Sequence, residues 1–273
     1  ITRSRCFGAG RRIITFGFRD CAVMVRCEWS GVQCVMEIPV DLWLWPLDID
    51  DAARSALARH LSDDESRRAD SFVFERDRAR FVAGRGRMRE VMGEVMARSP
   101  ASLRFVYDGQ GKPGLEGGPA FNLSHSGGWA ALAVSPGPAV GVDIERHRPI
   151  EHAVAERFFS PPERAALDGL SAHDWTAAFF RCWTRKEAFL KACGTGLWRR
   201  LDSFDVTLAQ DEAARITRID PEAGSDAGLV EEWTLAHLDL GPGFVGAIAL
   251  RAPGTVRVIY RDCHPPLRQV SGR

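Results

Sequence analysis

Lysine is almost missing from this chain. Of its 36 basic residues, only Lys112, Lys186 and Lys191 are lysine, and all the others are arginine. A compositional drift of this kind leaves lysine mainly where a compact ammonium group does something that a planar guanidinium cannot. Two of the three lysines lie within one short segment. The three positions could be chance survivors, but the composition marks them as the first basic residues to consider for specific contacts.

Other absences exclude whole classes of protein. Acidic and basic residues balance at 36 each, so no overall charge draws the chain towards nucleic acid or a membrane surface. No hydrophobic run approaches the roughly 18 residues that a membrane-spanning helix requires. The seven cysteines include no CxxC pair, which argues against a disulfide framework and against a cysteine zinc site. We therefore expect a globular protein of the cytoplasm, in which any anion-binding site is local.

Residues 1–35 differ in composition from the remainder of the chain. This segment is rich in arginine, poor in acidic residues and contains four of the seven cysteines. An Arg-rich, acid-poor start is typical of a transit peptide, but the Cys, Trp and Gly content favours a translated upstream region, with Met36 as the start. We therefore predict that residues 1–35 are a non-native or disordered extension.

A strong turn signal, Ser-Pro-Gly-Pro at 135–138, divides the remaining chain into two predicted subdomains, 36–136 and 137–273. Strands are predicted at 40–46, 103–107, 120–124, 129–135, 140–144, 204–208, 233–238, 244–250 and 256–260. Helices are predicted at 50–60, from Ser62, at 77–98, from Ser160 and at 174–193. Helices mixed with antiparallel-type strands in each half predict an α+β fold with two layers (α/β two-layer), whose two subdomains share a cleft.

Three acids could form a metal site, with a lysine beside them. Asp143 and Glu145 lie two residues apart in a predicted strand, so their side chains project from the same face. Glu187 and Lys191 lie four residues apart in a predicted helix and also share a face. Three converging carboxylates would repel one another, and a hard divalent cation such as Mg²⁺ relieves that repulsion. The alternative is a solvent-facing pair on the strand and an ordinary surface ion pair on the helix.

Two further segments could receive phosphate groups. The sequence NLSHSGG at 122–128 ends a predicted strand with hydroxyl, imidazole and exposed N–H groups, of which Ser124 and His125 are the main candidates. His125 could equally be a simple turn histidine. The loop GQGKP at 109–113 lacks the spacing of a Walker loop and is a weak phosphate motif by itself. Additional cationic contacts could come from Arg68, Arg76 and Arg80, although arginine is common throughout the chain.

Taken in order, these segments resemble a known family. The segments are GKP at 111–113, FNLSHS at 121–126, GVDIE at 141–145, RFFSPPE at 157–163 and WTRKEAFLKACGTGL at 183–197. Their order and spacing resemble the 4′-phosphopantetheinyl transferase superfamily, and specifically its longer, monomeric branch that activates nonribosomal peptide and polyketide synthases. The resemblance covers roughly residues 39–208.

The resemblance implies a catalytic centre built from the four residues described above. It implies that Asp143, Glu145 and Glu187 hold Mg²⁺ against the pyrophosphate of coenzyme A. Glu187 would be the general base for the carrier serine, directly or through a water. Lys191 would neutralise the pyrophosphate and assist the departure of 3′,5′-ADP. The catalytic residues implied by the family are therefore Asp143, Glu187 and Lys191.

The resemblance also implies the coenzyme contacts and the partners. Ser124, His125 and Arg68 would contact the nucleotide phosphates, together with Lys191. A loop would border the adenine with Gln110, Gly111, Lys112 and Pro113. The implied fold has two pseudo-symmetric halves with the active site between them. The implied partners are coenzyme A and an apo acyl or peptidyl carrier protein, with no nucleic acid and no membrane, and the implied state is a monomer.

Two other functions use the same residues. A Mg²⁺-dependent hydrolase of nucleotide or coenzyme A pyrophosphate would activate water in place of serine. An inactive module would bind coenzyme A or a carrier without turnover. The presence of all three acids together with Lys191 counts against the inactive module, because binding alone does not require them.

Overall fold

The computed structural model of the protein describes residues 3–7, 11–18, 21–28, 34–194, 199–221 and 228–261. The strands in the first half of the chain are β1 (Arg3–Phe7), β2 (Arg11–Phe18), β3 (Cys21–Glu28), β4 (Cys34–Pro46), β5 (Phe105–Tyr107), β6 (Pro113–Leu115), β7 (Ala120–Ser126) and β8 (Trp129–Ser135). Those in the second half are β9 (Val140–Arg146), β10 (Phe204–Val206), β11 (Ile216–Ile219), β12 (Thr234–Asp239), β13 (Phe244–Leu250) and β14 (Thr255–Arg261). The helices are α1 (Asp51–Ala58), α2 (Asp63–Asp70), α3 (Glu75–Met96), α4 (His152–Phe158), α5 (Pro161–Asp168) and α6 (Ala172–Cys193).

The strands form one large sheet and three small ones. The large sheet has the antiparallel order β1-β2-β3-β4-β8-β7, and β14 joins it by pairing in parallel with β4. A three-stranded antiparallel sheet has the order β12-β13-β9, while β5-β6 and β10-β11 form separate antiparallel pairs. Helices combined with largely antiparallel sheets confirm the predicted α+β class. Among the described helices, none is long and apolar enough to cross a membrane.

The described parts of residues 1–35 include the strands β1, β2 and β3, which extend the large sheet beyond β4. That the segment is a non-native extension stays a prediction, and parts of it (1–2, 8–10, 19–20 and 29–33) lie outside the described residues. The division into subdomains at 136 also stays a prediction, and β14 from the second half pairs with β4 from the first.

Each long helix is held to the short helix before it by a buried ion pair. Both α3 and α6 span 22 residues, and each follows a short helix that begins with a capping box. In α2 the capping-box residue Glu65 is buried and accepts a hydrogen bond from Arg89 of α3 at 2.5 Å. In α5 the capping-box residue Glu163 is buried and contacts Lys186 of α6 at 2.8 Å. A buried glutamate therefore ties each short helix to the long helix that follows.

Close packing of α6 on β9 depends on one glycine. A Cβ atom at Gly141 would lie 2.0 Å from the carbonyl oxygen of Ala188 and 2.5 Å from the backbone nitrogen of Ala192. No other residue type fits at these distances without moving the backbone. The absence of a side chain lets the helix lie directly on the strand, and this contact brings the last turns of α6 against the acidic residues of β9.

Candidate active site

Side chains of β7 form hydrogen bonds with the backbone of β9. The two strands contact each other but belong to different sheets. Alternate residues of β7 supply the acceptors, since residues two apart in a strand face the same way. The side-chain oxygens of Asn122, Ser124 and Ser126 accept the backbone N–H groups of Val142, Ile144 and Arg146 at 2.9, 3.2 and 3.1 Å, respectively. We call these three hydrogen bonds the β7–β9 rungs.

Asp143 lies at the centre of the predicted catalytic group. Its side chain is buried, and its Oδ1 atom accepts hydrogen bonds from the Nζ of Lys191 at 2.6 Å and from the Oγ of Ser124 at 2.9 Å. Lys191 Nζ also lies 3.1 Å from Ser124 Oγ. The structure therefore brings together the strand acid, the helix lysine and the β7 serine that the sequence assigned to different roles.

The other two acids lie close to Asp143. Glu145 Oε2 accepts a hydrogen bond from the Oγ of Ser126 at 2.6 Å and one from Arg148 at 2.7 Å. Glu187 is partly exposed and close enough to both strand acids for their charges to affect its ionisation. The charges of the three acids therefore act on one another, and their convergence on a single metal ion stays a prediction.

Burial and repulsion both act on these acids. Burial raises the pKa of the Asp143 carboxyl, the Lys191 ammonium opposes this, and Glu145 adds to the rise. Burial also raises the pKa of Glu187, and the Asp143 carboxylate raises it further. Both shifts follow from placing carboxylates near one another in a site with little water. A cation bound among them would favour the ionised forms.

The carboxylate chemistry of these acids suits a hard divalent cation. Among the residues that the structure describes, the Oδ2 atom of Asp143 is buried without a hydrogen-bond partner, so a carboxylate oxygen remains for a ligand. Carboxylate oxygens are what Mg²⁺ prefers, and it commonly completes its shell with water and substrate phosphate. No cluster of three or more His, Cys, Asp or Glu residues in the described ranges could hold a metal ion as it stands. The ligand set Asp143, Glu145 and Glu187 therefore stays a prediction.

Lys112 holds its loop against the end of α6. Its Nζ donates hydrogen bonds to the carbonyl oxygens of Lys191 at 2.5 Å and Val140 at 3.2 Å. A cation at these positions satisfies a carbonyl of the last helical turn and complements the helix dipole. Burial lowers the pKa of Lys112. The ammonium group of this predicted coenzyme residue is thus engaged with the backbone that carries Lys191.

A cavity of about 890 Å³ lies between the helices α2 and α3 and the end of strand β7. Its lining includes four of the predicted coenzyme residues: Arg68, Gly111, Pro113 and His125. Ser126 also lines it, so the cavity reaches the residue that contacts Glu145. Gln110 is exposed in the adjoining loop, where its N–H donates to Asp108 at 2.9 Å. Pockets of 300–1,000 Å³ are typical for small-molecule ligands.

Sequence reasoning missed several residues of this cavity. Glu65 accepts a hydrogen bond from Arg85, which also donates to the hydroxyl of Tyr107, and all three side chains line the cavity. Arg80, which the sequence analysis named as a possible cationic contact, lines the cavity and makes two hydrogen bonds of 2.7 Å to Asp48. The capping-box spacing was visible in the sequence, but nothing in that motif indicates that its glutamate pairs with an arginine twenty residues later. The role of Ser126 could have been predicted from the sequence, because Asn122, Ser124 and Ser126 are each two residues apart and therefore face the same side of the strand.

The chain is similar in sequence to proteins of one family over both of its halves. The family model described as the 4′-phosphopantetheinyl transferase superfamily matches residues 139–238, and that described as 4′-phosphopantetheinyl transferase, N-terminal, matches residues 50–137. The 4′-phosphopantetheinyl transferase HetI of Nostoc sp. is 40% identical over 222 residues, which cover 79% of this chain and 89% of that protein. The 4′-phosphopantetheinyl transferase psf-1 of Bacillus pumilus is 36% identical, over 77% of this chain and 88% of that protein. With matches of this extent over both halves, the chain belongs to the 4′-phosphopantetheinyl transferase superfamily of enzymes.

Proposed function

We propose that this enzyme transfers the 4′-phosphopantetheine group of coenzyme A to a serine of an acyl or peptidyl carrier protein. The observation that carries the proposal is the contact of Lys191 with Asp143, two groups whose charges act on Glu187. A cavity lined by Arg68 and His125 extends to Ser126, which contacts Glu145. An ammonium, several carboxylates and cationic cavity walls are what transfer from a diphosphate requires. Family membership over both halves of the chain supports the same activity.

The reaction is a displacement at phosphorus. The serine hydroxyl attacks the β-phosphorus of the coenzyme A pyrophosphate, a new phosphate ester bond forms, and the bond to 3′,5′-ADP breaks. Glu187 accepts the proton of the serine, a role for which a carboxylate needs only hydrogen-bond reach of the hydroxyl. Lys191 neutralises the charge that develops on the bridging oxygen of the pyrophosphate, which leaves with 3′,5′-ADP. Positioning and electrostatic stabilisation therefore account for most of the catalysis.

Mg²⁺ is the proposed cofactor, with Asp143, Glu145 and Glu187 as its ligands. The buried, unpartnered Oδ2 of Asp143 supports this assignment within the described residues. When bound, Mg²⁺ would neutralise charge on the pyrophosphate and orient it. The proposed coenzyme contacts are the Arg68 guanidinium and the His125 ring for the nucleotide phosphates, and the 110–113 loop for the adenine. Gly111 and Pro113 of that loop line the cavity.

The remaining assignments are also proposals. We propose carriers of nonribosomal peptide and polyketide synthases as the natural partners, and a monomer in the cytoplasm as the working state. The neutral overall charge and the absence of a membrane-spanning helix among the described helices are compatible with these assignments.

Mass spectrometry tests the activity directly. The protein is incubated with coenzyme A, Mg²⁺ and a panel of apo carrier proteins, and the carriers are weighed. We expect a mass increase of one phosphopantetheine group on at least one carrier, and none when its acceptor serine is replaced by alanine. Breakdown of coenzyme A without carrier modification would instead identify a hydrolase. Coenzyme binding without either reaction would identify an inactive module.

A further inference from the structure

We propose that Ser126 is a positioning residue that holds the carboxylate of Glu145 in the orientation needed for metal binding. The inference rests on the proposed function, since it concerns the same site. Ser126 lies at the end of β7, is half-buried and lines the cavity. It therefore stands between the cavity and Glu145.

The hydrogen bonds of Ser126 determine the direction of its hydroxyl group. Its Oγ accepts the backbone N–H of Arg146 at 3.1 Å and donates to Glu145 Oε2 at 2.6 Å. A serine hydroxyl has a single donor hydrogen, and that hydrogen is used here on the carboxylate. Hydrogen bonds to an ionised acceptor are among the stronger ones in proteins. The carboxylate is thereby linked to the backbone of its own strand through one side-chain oxygen.

The same arrangement occurs one step earlier in the two strands. Ser124 Oγ accepts the N–H of Ile144 at 3.2 Å and donates to Asp143 Oδ1 at 2.9 Å. In both cases the hydroxyl binds the acid and also the N–H of the residue that follows that acid. A repeat with this spacing is a property of how β7 and β9 face each other, and it gives each predicted metal ligand of β9 its own hydroxyl.

The rung formed by Asn122 shows what is needed to join the two strands when no acid has to be oriented. Asn122 accepts the N–H of Val142 at 2.9 Å, and the residue before Val142 is Gly141, which has no side chain to orient. Joining the strands therefore requires only a hydrogen-bond acceptor, which the amide oxygen of Asn122 supplies. Beside the acids Asp143 and Glu145, β7 instead carries a serine, whose hydroxyl accepts the backbone N–H and also donates to the carboxylate.

Metal binding provides a readout that is independent of turnover. Binding of Mn²⁺, used in place of Mg²⁺, is measured by electron paramagnetic resonance on the full chain in the presence of coenzyme A. We expect Ser126→Ala to weaken Mn²⁺ binding by about tenfold, as loss of a residue that orients a metal ligand commonly does. Ser126→Thr keeps the hydroxyl and should restore most of the affinity. The matched control is Ser135→Ala, because Ser135 is a buried strand-end serine whose Oγ has no partner among the described residues.

A double-mutant cycle distinguishes action through Glu145 from general loosening of the site. On a Glu145→Gln background, Ser126→Ala should weaken Mn²⁺ binding by less than twofold, because the carboxylate it positions is gone. Equal tenfold effects on both backgrounds would overturn the proposal, as would wild-type affinity in Ser126→Ala. If Ser126→Ala does not fold, as judged by circular dichroism, Ser126→Cys preserves the size of the side chain, and the same comparison applies to it.

Failure of the proposed function would be recognised separately. Wild-type protein that neither binds Mn²⁺ with coenzyme A nor modifies any carrier would refute both the transferase assignment and the role of Ser126. Wild-type protein that does both, with Ser126→Ala unchanged in Mn²⁺ affinity, would refute the role of Ser126 alone.

Discussion

Replacing Gly141 with alanine should separate helix α6 from strand β9. The added Cβ would lie 2.0 Å from the carbonyl oxygen of Ala188, whereas Cβ atoms essentially never approach closer than 3.0 Å. The helix must therefore move away by about 1 Å or more, since both atoms at the contact belong to backbone or to Cβ and cannot rotate aside. Lys191 is carried by the same helix, and its 2.6 Å contact with Asp143 would lengthen beyond hydrogen-bond range.

Both stability and rate should respond to this displacement. Overpacking of this kind costs about 1–3 kcal/mol, which corresponds to a fall in melting temperature of several degrees. A misplacement of about 1 Å in an active site can reduce the rate roughly 100-fold. We therefore expect Gly141→Ala to fold with a lower melting temperature and to transfer phosphopantetheine on the order of 100-fold more slowly.

Calorimetry and the carrier mass assay measure the two effects. Gly137→Ala is the matched control, because a Cβ at Gly137 would meet no atom within 4 Å. We expect this control to retain the melting temperature and the transfer rate of the wild type. A Gly141→Ala protein with an unchanged melting temperature and full activity would show that the contact between helix and strand is not as tight as described.

Three other substitutions test separate contacts. Glu187→Gln should lower the transfer rate by about 10²–10⁴-fold while calorimetry still detects coenzyme A binding; transfer near the wild-type rate would show that another group is the base. Lys112→Met removes the charged donor of the Val140 and Lys191 carbonyl groups. Each buried group left unsatisfied costs about 1–3 kcal/mol, so we expect a lower melting temperature, and an unchanged one would contradict the contact. Glu65→Gln should lose about 3 kcal/mol in urea unfolding at pH 7. Burial raises the pKa of Glu65, but hydrogen bonds and charge from its arginine partners outweigh this and hold the pKa below its ordinary value of 4.5. Its stabilisation is thus fully present above about pH 4.5 and is lost as the pH falls through the lowered value, so the difference between wild type and variant should shrink on acidification.

Much of the site was predictable because it depends on local periodicity. The period-two spacing of Asp143 and Glu145 and the four-residue spacing of Glu187 and Lys191 fix which side chains share a face. The strand predicted at 129–135 has the same bounds in the structure, as does that at 244–250. The long helices differ from their predicted bounds by two residues at most at either end.

The rest depends on contacts between distant segments. The parallel pairing of β14 with β4 joins residues more than 200 positions apart, and no local pattern encodes the register. Likewise, the carbonyl partners of Lys112 come from β9 and from the end of α6, which only the folded chain brings together. Ser124 was expected to contact a nucleotide, whereas its hydroxyl lies against Asp143; the coenzyme contact stays a proposal.

The scarcity of lysine also determines how the native protein should behave towards reagents that acylate amines. Lys186 is fully buried in an ion pair, Lys112 donates to two carbonyl oxygens, and the side chain of Lys191 is 28% exposed. Among the lysines, slow acylation of the folded enzyme should therefore fall first on Lys191. A label on Lys191 would report on access to the proposed site, and acylation of the other two lysines would mark unfolding.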